Sequence, residues 1–165
     1  MSVTIIVDAD ASPKKDDIIK LAGQYSLTVL LVSSISHYST TDMPEWVKRI
    51  WVDKGSDLAD FKIVALAKEG DIVLTNDFGL ASMLLPKWCR VLHHDGYEYT
   101  ESIIQQLIDG RHLSAKERRT NKRSRVKSLA PFASEDQQPF EELLERIIKE
   151  QLIGDNNQEG RDDIR

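Results

Sequence analysis

One cysteine in 165 residues, Cys89, excludes an internal disulfide and suits a reducing compartment. No apolar run approaches the ~20 residues that cross a bilayer, so no transmembrane helix and no membrane partner are expected. The chain opens directly on a strand-like run, without the basic segment and apolar core of a secretory signal, and a cytoplasmic protein is expected. Glycine is sparse as well: its eight residues form neither a GxGxxG nor a P-loop pattern, which removes the common phosphate-cradling loops. Basic charge is not in excess, and the formal net charge of −5 argues against a uniformly basic nucleic-acid binder while leaving room for a local patch. No internal repeat is present. What remains, with 41% hydrophobic residues, suffices for one compact domain with its own core.

The organising stretch is residues 3–13, VTIIVDADASP. Val3, Ile5, Ile6 and Val7 do not alternate with polar residues, which predicts a strand buried on both faces. Pro13 suits the first turn of a following helix, with Ser12 placed to cap it. Asp8 and Asp10 therefore fall where a central strand hands over to a helix, the edge at which open α/β sheets bind ligands. Two carboxylates there repel each other unless a cation or a shared proton relieves them. Aspartate is also common in turns and caps, and this stretch alone fits both readings.

The rest of the chain alternates strand and helix patterns. Helices are predicted over 14–24, 58–68, 80–85 and 100–109, the last capped by Thr100. Buried strands are predicted over 27–32, 50–52, 72–74 and 90–92, with a polar loop over 33–44. The alternation indicates a parallel α/β sheet. Residues 111–127 then carry Arg111, Lys116, Arg118, Arg119, Lys122, Arg123, Arg125 and Lys127 against the single acid Glu117. Phe140, Leu143, Leu144, Ile147 and Ile148 recur at helical spacing and predict an amphipathic C-terminal helix over about 137–152. Residues 153–165 are polar and read as a disordered tail.

Three acidic points converge on one edge of such a sheet. Asp8 and Asp10 follow the first strand. Asp57 and Asp60, three apart in KGSDLADF, share the face of a first helical turn if the helix starts near Ser56. Asp77, in LTNDFG, follows the strand IVL. Hard oxygen ligands from several strand ends suit Mg²⁺ or Mn²⁺, which bind a few carboxylates and keep water or substrate phosphate in the other positions. A helix cap would account for Asp57 alone and a turn for Asp77 alone, but several such coincidences would have to fall on one edge.

VDADASP, KGSDLADFKIV, GDIVLTNDFGLASMLL and LSAKERR together resemble the YaiI/YqxD family of small bacterial proteins, over the span from about Val3 to the final helix. The resemblance implies a PIN-like fold, a three-layer α/β architecture with a mostly parallel central sheet flanked by helices, occupying residues 1–152 as a single domain. Nuclease members of that fold arrange acidic residues around divalent metal at the end of the sheet. Carried over residue by residue, the resemblance selects Asp8, Asp10, Asp57, Asp60 and Asp77. The family pattern has cysteine where this chain has Ser12, so chemistry needing a thiolate there would fail here, whereas a capping role would survive the exchange.

Other constellations compete. DADAS at residues 8–12 also matches the DxDx[TS] signature of haloacid-dehalogenase-type phosphatases, in which the first aspartate attacks a phosphoryl group. That fold needs a later Gly-Asp pair after a strand, and Gly70-Asp71 precede one. His93 and His94 stand beside Asp95, but adjacent side chains on extended backbone point to opposite faces, so a rim role is expected. Cys89 is expected to pack as a small apolar residue. Tyr38, Trp46 and Trp51 could stack on bases, with core packing expected for both tryptophans. The basic segment fits either a polyanionic partner or a solvated connection.

The expectation is a Mg²⁺- or Mn²⁺-dependent phosphodiesterase acting on RNA or single-stranded nucleic acid. Asp8, Asp10, Asp57, Asp60 and Asp77 would hold metal. Ser12, Lys14, Lys15, Asn76, Arg118, Arg119, Lys122 and Arg123 would meet substrate. A nucleic-acid-binding protein that keeps the fold without catalysis is the alternative.

Overall fold

A computed structural model of the chain describes residues 2–55, 57–120 and 138–162. It is a three-layer α/β fold of the PIN-like type. Six strands form one sheet in the order β3-β2-β1-β4-β5-β6. They are β1 (Thr4–Asp8), β2 (Thr28–Ser34), β3 (Val47–Val52), β4 (Ile72–Leu74), β5 (Arg90–His93) and β6 (Tyr97–Glu98). The first five run parallel, and β6 returns antiparallel against β5.

The apolar run of β1 is consumed on both faces. Ile5 and Val7 pack on one side with α1 (Lys15–Gln24) and α5 (Phe140–Asp162), where Ile18, Ala22, Leu144 and Ile148 meet the sheet. Ile6 points the other way, toward the layer formed by α2 (Leu58–Leu66), α3 (Phe78–Leu84) and α4 (Glu101–Thr120). Ile5, Ile6 and Val7 are all fully buried. At roughly 1.5–3 kcal/mol per fully buried aliphatic side chain, this strand contributes heavily to the core.

Two glycines are demanded by close approach. A Cβ on Gly23 would stand 2.6 Å from the Trp46 ring, whose Nε1 donates to the Ile19 carbonyl at 2.9 Å and locks the β3 entry onto α1. Gly96, at φ +101°, makes the β5–β6 turn, and a Cβ there would lie 1.8 Å from the Gln138 carbonyl oxygen. The Gln138 N–H donates to the Gly96 carbonyl at 3.1 Å, so this turn seats the chain just before α5.

Several boundaries differ from the sequence reading. The first helix begins at Lys15, after a 3₁₀ turn over Ala9–Ala11, and Lys14 rather than Ser12 occupies its N-cap position, with no side-chain cap bond. The residue before a proline is driven to extended backbone, and Ser12 is extended (φ −100°, ψ 115°), which delays the helix by two residues. β3 starts three residues earlier than the apolar pattern indicates because an edge strand tolerates Lys48 and Arg49. β6, only two residues long, is too short to leave a pattern in the sequence. α4 continues past Asp109 through Arg118 and Arg119 to Thr120, while Lys122 and Arg123 lie outside the described residues. α5 runs past Leu152 to Asp162, so most of the expected tail is helical; Gly154 lies within the helix and does not stop it. No described helix is long and apolar enough to cross a membrane.

Candidate functional site

The strand order fixes where a ligand would sit. From β1 the chain winds outward to β2 and β3, then returns to β4 on the other side of β1. The crevice between the carboxyl ends of β1 and β4 is thus a topological switch point, the usual ligand position in such sheets. Asp8 ends β1 there, and Thr75 follows β4. The Thr75 hydroxyl donates to Asp8 Oδ2 at 3.0 Å and accepts the Asp77 N–H at 3.1 Å, tying the two strand ends together. A small cleft of about 10 Å³ lies beside them, lined by Asp8, Ser12, Thr75, Asn76, His94 and Phe140 among others.

Asp8 is the most strained charge of this edge. Burial pushes its pKa up to about 6, the Thr75 hydrogen bond opposes that rise, and Asp60, Asp10 and Asp77 add repulsion. Asp60 is shifted in the same direction by burial, then by Asp77 and Asp57. Carboxylates from three separate segments therefore feel one another.

Their local roles differ. Asp10 Oδ2 accepts the Ser34 N–H at 2.9 Å and its Oδ1 lies 3.2 Å from His37 Nδ1, so both oxygens are engaged in joining β1 to the end of β2. Asp77 caps α3, its Oδ1 accepting from Gly79 N–H at 2.8 Å and Leu80 N–H at 3.4 Å. Asp57 holds the N-cap position of α2 in the left-handed region (φ 73°) but makes no side-chain cap bond and stays exposed. Asp60, one turn on, is half-buried and accepts no hydrogen bond among the described residues. The alternative reading of Asp57 as a helix cap does not hold, and it is Asp77, read alternatively as a turn residue, that caps a helix, α3. A cap at Asp57 would have required ordinary extended backbone, which the left-handed turn denies it.

Chemically, Asp60, Asp8 Oδ1 and Asp77 Oδ2 are hard oxygen donors with no protein hydrogen bond among the described residues, a set that suits Mg²⁺ or Mn²⁺. No three of the five aspartates bring oxygens within 4.8 Å of one another; among the described residues only His93, His94 and Asp95 do so. Of the five only Asp8 lines the cleft, and they do not close a dry cage, which fits an ion that keeps several of its waters.

The histidine pair corrects the expected geometry. β5 ends at His93, so His94 turns back and the two rings lie on one side, tilted by 30° with centroids 4.2 Å apart. His93 Nδ1 accepts the Asp95 N–H at 2.9 Å, its ring stacks on Tyr97, and burial and His94 push its pKa down to about 4. The turn thus occupies His93 internally, while His94 reaches the cleft. Sequence reasoning does not single out Thr75 for the cleft, whereas the rim role expected of the histidine pair falls to His94. A threonine directly after a buried strand, opposite the aspartate that ends its neighbour, is the signal that would find Thr75 once the strand order is known.

Among the remaining candidates, Ser12 and exposed Asn76 line the cleft, whereas Lys14 and Lys15 stand at the start of α1 and do not. Asp71 lies at the opposite end of β4, which removes it as an acidic partner for a phosphatase centred on Asp8. Cys89 is buried, donates to the Lys68 carbonyl at 3.3 Å, and has its thiol pKa pushed up to about 11 by burial. It packs, as expected.

Comparison with known proteins agrees on identity of family. Residues 6–150 match the family described as "Uncharacterized BCR, YaiI/YqxD family". A UPF0178 protein of Bacillus cereus is 49% identical over 144 residues, covering 87% of this chain and 97% of that protein. UPF0178 proteins of Oceanobacillus iheyensis and of Bacillus anthracis are 48% and 47% identical over the same shares. No solved structure matches the chain. The motifs at the strand ends, the PIN-like sheet that gathers them and these full-length relatives agree: the chain belongs to the YaiI/YqxD family.

Proposed function

We propose that this protein is a Mg²⁺- or Mn²⁺-dependent phosphodiesterase acting on RNA or single-stranded nucleic acid at the switch-point crevice. The observation that carries the reading is Asp8. It sits half-buried at the end of the central strand, beside three other carboxylates, with its pKa raised to about 6. An edge that unfavourable to its own charge is what a cation-binding site looks like without its cation.

Asp8, Asp60 and Asp77 would hold the ion, with Asp10 and Asp57 on the rim of the same negative field. A divalent ion bound there supplies positive charge against phosphoryl oxygens and acidifies water. Thr75 fixes the Asp8 carboxylate by its hydrogen bond, so the oxygen facing the crevice keeps one direction. Asn76 and Ser12, on the cleft wall, offer an amide and a hydroxyl to a phosphate or ribose.

The test is cleavage of an end-labelled single-stranded RNA with Mn²⁺, Mg²⁺ or EDTA. Metal-dependent cleavage that Asp8→Asn abolishes supports the reading. Binding without cleavage under every divalent ion would leave the non-catalytic nucleic-acid-binding protein in its place.

A further inference from the structure

Helix α2 has a second apolar face that no element covers among the described residues. Its sequence, LADFKIVAL, is apolar nearly all round, the pattern of a helix buried on every side. Yet only Ile63 is buried. Leu58, Phe61, Lys62 and Ala65 recur at spacings of three and four, so they share one stripe. That stripe lines a shallow groove with Trp51 and Val52 at the end of the edge strand β3. Phe61 is 62% exposed and Leu58 41%. Tyr38, just after the 3₁₀ turn that follows β2, is 63% exposed, and its ring lies 5.1 Å from that of Trp51.

Cations outnumber acids around this surface, where Asp53 is the one acid that lines the groove. The Arg49 guanidinium lies over Trp51, 5.7 Å from the ring centroid, and donates to the Ser39 carbonyl at 2.7 Å. Among the described residues, Lys48, Arg49, Lys54 and Lys62 have no carboxylate within ion-pair distance. The cations of α5 and β5 differ: Arg90, Arg146 and Lys149 all have acidic partners. Exposed rings at Tyr38 and Phe61, with the half-buried Trp51 between Tyr38 and Arg49, and cations without ion pairs fit bases and phosphates in succession.

We propose that Tyr38, Trp51 and Phe61, with Arg49 and Lys62, form a stacking platform for single-stranded nucleic acid that feeds the acidic crevice. The platform deepens the phosphodiesterase reading and rests on it for its role, because α2 carries Phe61 outward and the adjacent Asp60 toward Asp8 and Asp77. β3 and α2 both meet the carboxyl edge of the sheet, so a strand lying on the aromatic rings is led to that edge.

The experiment measures binding in EDTA, where cleavage plays no part. The probes are labelled oligo(rA), oligo(dA) and an abasic ribose-phosphate chain of equal length. Wild type is expected to prefer both base-bearing probes to the abasic chain. Phe61→Ala and Tyr38→Ala should each weaken base-bearing probes about tenfold, within the range of one lost base–aromatic stack, and leave the abasic probe nearly unchanged. Lys62→Gln should weaken all three equally. Both aromatic rings are exposed, so unfolding midpoints should stay within a degree or two, which separates lost stacking from lost fold. Equal binding of base-bearing and abasic probes by wild type, or unchanged affinity in both aromatic variants, would overturn the platform. So would sedimentation showing a dimer that Phe61→Ala dissolves with RNA affinity intact, since the face would then belong to a second copy. Absence of cleavage with every divalent ion would remove the phosphodiesterase reading while leaving the binding result standing.

Discussion

Two aspartates at opposite ends of the same pair of strands show what separates a structural carboxylate from a candidate functional one. Asp71, just before β4, is 4% exposed, and its two oxygens accept the N–H groups of Thr4 and Lys68 at 3.1 and 2.9 Å. Burial raises its pKa, but those two bonds and the charges of Lys68 and Lys87 pull against it. Asp8, at the far end of β1, has one hydrogen bond from Thr75 and three carboxylates for neighbours. Burial acts on both. Only at Asp71 does the protein itself supply the compensation, and the deficit at Asp8 is what an external cation would fill.

The comparison breaks most visibly at Asp71. Asp71→Ala leaves two N–H groups of the amino edge without acceptors, and the stability loss is expected to be about 3 kcal/mol by denaturant unfolding. Its response to Mn²⁺ should match wild type. A loss below about 1 kcal/mol would show that Asp71 is not the structural member of the pair.

Asp8→Asn should act in the opposite direction. The difference between the ordinary 3.8 and about 6 corresponds to at most about 3 kcal/mol, and solvent screening at a half-buried site reduces the expected gain to about 2 kcal/mol in EDTA at neutral pH. A carboxyl with a raised folded-state pKa keeps its proton in the native state, from about pH 4 to 6, while the unfolded chain has lost it. The stability it contributes is therefore present at low pH, declines across that window and is lowest above about 6. His93, whose pKa is lowered from 6.5 to about 4, contributes the reverse slope, so wild type minus Asp8→Asn isolates the aspartate. A destabilised Asp8→Asn variant in EDTA would place Asp8 with Asp71.

The smallest effect sharpens the comparison without changing a charge. Thr75→Val removes the one hydrogen bond that lowers the Asp8 pKa and keeps the side-chain volume. Carboxyl-carbon NMR titration should find Asp8 titrating at still higher pH, with an overall stability change of about 1 kcal/mol. An unmoved Asp8 titration would mean that the Thr75 bond does not form in solution.

Much of this is legible in the chain because buried strands declare themselves. VTIIVD, LTVLLV and IVL mark β1, β2 and β4, and the aspartates and asparagine at their ends follow. Strand order is not legible, so the pairing of β1 with β4 that makes Thr75 the partner of Asp8 stays hidden. So does the left-handed backbone at Asp57, a conformation that aspartate adopts only where the turn compels it. The second face of α2 is hidden for a different reason. LADFKIVAL reads as a core helix, and only the edge position of β3 leaves Phe61 outside.

The central claim is that the carboxyl edge wants a cation, and thermal unfolding against Mn²⁺ concentration tests it most directly. Wild type and Asp8→Asn are each titrated from EDTA to saturating Mn²⁺ at neutral pH. Wild type should start lower and climb, with about 2.7 kcal/mol gained at a hundredfold excess over the dissociation constant. Asp8→Asn should start higher and stay level. A wild-type midpoint that does not move at saturating Mn²⁺, or an equal rise in both proteins, would contradict the account.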